Sequence, residues 1–94
     1  MIVVRTIFVA KPGQASKLAA QFKSAASAAG IPRHRVLTDL TGESNRVVFE
    51  HEVESVGEFE NMMKDGGRGD AMRNGLKGYT DLYVTAHREL LQSA

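Results

Sequence analysis

No cysteine occurs among the 94 residues, so no disulfide can staple the fold. A chain this short buries only about 60–65% of the surface its unfolded form exposes, which leaves a thin core. The same absence fits a reducing compartment, and the expected location is cytoplasmic. Excess charge is missing too. Twelve Lys and Arg stand against 11 Asp and Glu, for a formal net charge of +1. So balanced a chain has no electrostatic drive toward nucleic acid or an anionic membrane, and neither is expected as a partner. No apolar run approaches the roughly 20 residues that span a bilayer. Met1-Ile2-Val3-Val4-Arg5 lacks a basic segment ahead of a long apolar one, and reads as a strand rather than a signal peptide. The histidines show no H-x-x-x-H or H-x-H spacing, so no metal is expected. Gly66-Gly67-Arg68-Gly69-Asp70 is not followed by Gly-Lys-Ser/Thr, which argues against a phosphate cradle.

What is present reads as a single domain over residues 1–94. Ile2 to Ala10 is rich in β-branched and aromatic residues. Ile2, Val4 and Phe8 share one phase, and Val3, Ile7 and Val9 share the other, so this strand is apolar on both faces. Pro12-Gly13 ends it and opens a helix, with Pro12 suited to the first helical position. Ala15, Leu18, Ala19, Phe22, Ala25, Ala26 and Ala29 then form one apolar stripe, small enough for close approach to a sheet. Gly30 suits a C-terminal cap, and Pro32 blocks continuation. Arg35–Thr41 and Asn45–Glu54 read as strands joined by a hairpin loop over Thr41–Ser44. Ser55 and Glu58 have capping-box spacing and start a second helix, with Val56, Phe59, Met62 and Met63 at helical positions. Gly66 to Asp70 predicts a break in it. Asp70 then recaps a continuation through Met72, Leu76 and Tyr79, which Gly75 and Gly78 weaken. A last strand covers Tyr83 to Leu91. The order βαββαβ predicts an α+β fold, with an antiparallel four-stranded sheet and two helices on one face. Two helices cannot cover the other face, so a homodimer packed sheet to sheet is expected.

Chemical candidates are few. His51 shares its phase with Val47, Phe49 and Val53, an apolar setting for a titratable ring. It reads either as a general base or ligand contact, or as a core histidine with a satisfied hydrogen bond. The expected partners across the sheet are Arg5 or His87. Arg5 sits between Val3 and Ile7, and either pairs with Glu50 or Glu52 or awaits an anionic ligand. Thr6, Tyr79 and His87 complete the candidate ligand-binding set. His34 reads as a solvated strand end.

The chain resembles the dimeric α+β barrel superfamily, which includes small proteins like the antibiotic biosynthesis monooxygenases and the NIPSNAP-like proteins. The resemblance rests on the strand from residue 2 and the Ala-rich first helix. It continues through Val36-Leu37-Thr38-Asp39-Leu40-Thr41-Gly42, Val47-Val48-Phe49-Glu50, Glu52-Val53-Glu54-Ser55 and the closing Arg88-Glu89. It implies a ferredoxin-like subunit that joins its sheet to a second copy. It also implies a cavity between sheet and helices, which in that superfamily often takes small organic molecules or haem; for this chain a small hydrophobic or aromatic metabolite is expected, and no cofactor. A monooxygenase-like reaction would use His51 as base or donor, with Arg5 holding an enolate or phenolate charge. The alternative is a non-enzymatic ligand-binding or stress-response domain. Cofactor-free monooxygenases and haem-degrading relatives use a Trp and a first-strand Asn. This chain has no Trp, and no Asn precedes Asn45.

Overall fold

The computed structural model describes residues 1–40, 45–64 and 69–94. Ile2–Ala10 forms strand β1, the element with apolar side chains on both phases, and it takes a central place in the sheet. Strand β3 (Arg46–Val53) pairs along one edge of it, and strand β4 (Tyr83–Gln92) pairs along the other. The short β2 (Arg35–Thr38) borders β3, which gives the order β2-β3-β1-β4. Every pairing is antiparallel. Strand β2 stops at Thr38, short of the expected Thr41; the expected hairpin loop over Thr41–Ser44 lies outside the described residues.

Register decides what each face carries, because successive side chains in a strand point to opposite sides. Val4 lies opposite His51, and Arg5 opposite Glu50. One face therefore presents Val4, Thr6 and Phe8 with Val47, Phe49 and His51, and the helices cover it. The other presents Val3, Arg5, Ile7 and Val9 with Arg46, Val48, Glu50 and Glu52.

Helix α1 (Ala15–Ala28) buries Leu18, Phe22, Ala25 and Ala26, as its stripe predicts. Its Phe22 ring lies 4.9 Å from Phe8 and 5.2 Å from Phe49, centroid to centroid, joining helix to sheet through aromatic contacts. Pro12 and Gly13 form a turn ahead of the helix, and the first helical residue is Ala15, so Pro12 does not occupy that position. At the other end Gly30 takes a left-handed φ of 66°. Its N–H donates to Ser27 O at 3.2 Å, and the Ile31 N–H donates to Ala26 O at 3.1 Å. Orphan carbonyls of the last turn are thereby satisfied, and Ile31 is folded into the core.

Helix α2 (Val56–Lys64) starts where the capping signal places it. The Glu58 N–H donates to Ser55 Oγ at 3.1 Å. The Glu58 carboxylate accepts from the Glu54 N–H at 2.6 Å, one residue earlier than a reciprocal box would have it. Helix α3 (Gly69–Gly75) follows, with Asp70 inside its first turn rather than ahead of it. The expected break over Gly66–Asp70 falls mainly on residues 65–68, which are outside the described residues. A short 3₁₀ turn at Tyr79–Asp81 leads into β4. Among the described residues no helix is long and apolar enough to cross a membrane.

Gly75 has a role that helix propensity alone does not suggest. A Cβ placed there would lie 2.6 Å from the Ala25 Cβ and 2.9 Å from the Ala25 Cα. The α1–α3 crossing is thus close enough to exclude any side chain at this point. Propensity predicts that Gly75→Ala gains up to about 1 kcal/mol. The crossing predicts a loss of about 1–3 kcal/mol instead. Urea unfolding of Gly75→Ala should show the loss, and adding Ala25→Gly should recover part of it.

Candidate functional site

Between the covered sheet face and the helices lies a cavity of about 520 Å³. That is within the range of roughly 300–1,000 Å³ typical of small-molecule sites. Its floor is built from Val4, Thr6, Phe49 and His51. Phe59, Met62 and Met63 of α2 form one wall, and Met72 and Leu76 form another with Tyr79 beside them. The wall chemistry follows from the helical spacing of these apolar residues. Methionines suit such a wall, because unbranched thioethers adapt to varied shapes.

Five polar side chains line this apolar chamber. His51 is buried, 5% exposed, with its ring 5.4 Å from that of Phe49. Thr6 is buried beside it on β1, and its hydroxyl accepts from Arg88 Nε at 3.3 Å. Arg88 comes from the neighbouring position on β4, directly opposite Thr6 in register. Its guanidinium carbon stands 5.6 Å from the centre of the Phe59 ring, and Nη1 lies 4.0 Å from Met63 Sδ. Tyr79 is the fourth. Burial and the adjacent Tyr83 phenol raise its hydroxyl above the ordinary value of 10.0, against an opposing pull from Arg88. At neutral pH it is therefore a hydroxyl that can donate. A further arginine at the chamber, Arg73, pairs with Asp70.

The candidate residues divide between the two faces. His51, Thr6 and Tyr79 meet at the chamber. Arg5 and His87 do not. The β1–β3 register puts Val4, not Arg5, across from His51, and His87 lies across from Ile7 on the exposed face. The register thus turns Arg5 and His87 to the face opposite His51, and the polar residues that line the chamber with His51 include Thr6 and Arg88. His34 donates through Nδ1 to Ile31 O at 2.6 Å, a local structural bond. Among the described residues no group of three metal-ligating side chains converges. Arg88 was not singled out by sequence reasoning. The signal was its β4 phase, shared with Ala86 and Leu90 and opposite to His87, but it becomes readable only once β4 is known to pair with β1.

The open face carries its own cluster. Glu50 is 4% exposed and accepts from Arg5 Nε at 2.6 Å and from Arg35 Nε at 2.8 Å. Arg5 also stands 3.7 Å from Glu89. Arg35, Glu50, Arg5 and Glu89 are register partners, so alternating charges run across the four strands in one row. Beside it lies an apolar row of Leu37, Val48 and Ile7.

This arrangement of strands and helices has counterparts among solved structures. A NIPSNAP domain protein from Burkholderia xenovorans matches with a TM-score of 0.80 at 12% identity, covering 100% of this chain and 95% of that one. A NIPSNAP family protein from Agrobacterium tumefaciens matches with a TM-score of 0.81 at 10% identity, covering 99% and 92%. The chain has the ferredoxin-like fold of the NIPSNAP-domain proteins. A protein from Chloroflexus aurantiacus, named for antibiotic biosynthesis monooxygenases, shares the fold too, with a TM-score of 0.70 at 14% identity over 99% of this chain and 94% of that one. No protein-family model and no curated protein sequence matches the chain. Likeness at these identities establishes architecture, and chemistry has to be argued from the site.

Glu50 generates a test in solution. Burial raises its carboxyl, but the hydrogen bonds and charges of Arg35 and Arg5 outweigh burial and hold it below the ordinary value of 4.5. A carboxyl held lower in the folded chain contributes stability that is complete above 4.5 and lost as pH falls through the lowered value. Urea midpoints measured from pH 7 down to pH 3 should fall on the acid side for the native chain. Glu50→Gln should be less stable at neutral pH and show a flatter acid limb. An unchanged limb would show that the pairing is not sensed in stability.

Proposed function

We propose that the protein binds a small hydrophobic or aromatic metabolite in the chamber between its sheet and helices, and does so as a cytoplasmic homodimer joined through the open sheet faces. The carrying observation is the chamber itself: about 520 Å³, walled by phenylalanine, methionine and leucine, with His51, Thr6 and Tyr79 supplying a few convergent polar groups. Sites of this make-up take ligands by apolar burial and orient them by a few hydrogen bonds. Support for the dimer comes from the other face. Leu37 and Leu91 are 42% and 39% exposed there, next to a row of alternating charges that a second copy can meet with opposite sign. The lack of cysteine fits the cytoplasm.

A second reading adds turnover, in the manner of a cofactor-independent monooxygenase. It is favoured by one observation: His51 is a buried titratable ring at the wall of an apolar chamber, where proton abstraction from a bound enol or phenol is geometrically open to it. Oxygen uptake with a bound phenol, abolished in His51→Phe, would support turnover, and binding without uptake would leave a binding domain.

The chain has no Trp, so the emission of a naphthalene probe is readable without interference. Titration of 2-naphthylmethanol should give saturable binding to the native chain. His51→Phe should keep the native circular dichroism and bind at least about tenfold more weakly, the scale of one lost buried hydrogen bond. No binding to the native chain would remove the chamber reading. For the dimer, light scattering should return twice the 10.2 kDa subunit mass, and Val48→Asp on the open face should return the subunit mass. A native monomer at micromolar concentration would remove the dimer.

A further inference from the structure

Two arginines line this chamber, and among the described residues Arg88 is the one with no carboxylate partner. Among the described residues Arg5, Arg33, Arg35, Arg46 and Arg73 all form ion pairs with Asp or Glu side chains. Arg88 instead touches a threonine hydroxyl, a thioether and the face of a phenylalanine ring. The acidic residue next to it in sequence, Glu89, points to the other face of the sheet and stands near Arg5. Arg88 is exposed, and among the described residues no carboxylate takes its charge, so the guanidinium is open to an anionic ligand.

The contacts also fix an orientation. Nε is directed at Thr6 and the guanidinium carbon stands over the Phe59 ring, and both residues line the chamber. Arg88 lies on the edge strand, at the rim, while Phe22, Phe49 and Met72 lie at the inner end. A ligand seated here would put its ring system inward and its polar end against Arg88. A planar guanidinium fork matches a planar carboxylate with two parallel N–H···O bonds.

We infer that the chamber selects an aromatic or apolar carboxylic acid, with Arg88 binding its carboxylate at the rim and the apolar body reaching toward Phe22 and Phe49. The inference rests on the chamber reading above and names the class of ligand for it. It also reassigns the anion-holding role from Arg5, whose guanidinium is engaged by Glu50 on the opposite face.

The test compares two probes of nearly equal shape, 2-naphthoate and the neutral 2-naphthylmethanol, titrated at pH 7.5 into the full chain. The acid should bind at least about tenfold more tightly than the alcohol, the size of one charge-assisted pairing. In Arg88→Met the ratio should fall to about one, because the apolar length is kept and the charge removed. In Arg88→Lys it should be intermediate, since the charge returns without the planar fork. Arg5→Met should leave the native ratio. Equal binding of the two probes to the native chain would overturn the carboxylate assignment and keep the chamber. A preference for the acid that survives in Arg88→Met would place the anion site elsewhere. Binding of neither probe would overturn the chamber reading and this assignment with it.

Discussion

A buried carboxylate between two guanidinium groups sets the frame of this protein. Glu50 is withdrawn from water, and its two oxygens are taken by Arg5 and Arg35 from the strands on either side. An ion withdrawn from water needs such partners, because leaving it unpaired costs several kcal/mol, on the order of 3–5 when one partner is lost. The pairing holds only in one register of β1 against β3 and of β3 against β2. Slipping β3 by one residue would turn Glu50 toward the hydrophobic core and His51 out to the open face. The chamber's composition therefore depends on charges that lie on the far side of the sheet.

Given that register, the chamber arises from unequal packing of the helices. Helix α1 is held close by its alanines, and α3 crosses it where Gly75 meets Ala25 with no room for a Cβ. That contact consumes the space at one end. At the other end, Phe59, Met62 and Met63 of α2 stand across from Thr6 and His51 with a cavity between. One part of the covered face is a filled aromatic core around Phe22, and the adjoining part is a lined space.

Much of this was legible in the sequence. The two phases of β3 were plain in the alternation from Arg46 to Val53, and they put His51 on the apolar side without any structure. The apolar content of β1 on both phases was plain, and Gly30 marked the end of α1. Strand adjacency was legible in part: the pairing of Arg5 with Glu50 was among the expectations, but alternation within a strand does not fix the register that sets the remaining neighbours. For that reason Thr6 could be flagged as cavity-lining while its partner Arg88 went unnoticed, and Arg5 was placed beside a histidine that faces the other way. The reading of Gly75 as a weak point of the helix was incomplete for a related reason. Propensity is a local property, and the need for glycine there comes from Ala25, 50 positions earlier in the chain.

The two walls of the chamber are held with very different strength. Helix α1 buries four residues, and α2 buries none. Local opening requires only the interactions an element makes with the rest, so the free energy to lift α2 away is a small part of the global unfolding free energy. Backbone amides of α2 should then exchange with solvent deuterium through frequent local excursions, while those of α1 wait for global unfolding. Such a hierarchy separates passage from persistence. On this reading the α2 side of the chamber opens at low cost, while the sheet beneath it keeps its register throughout.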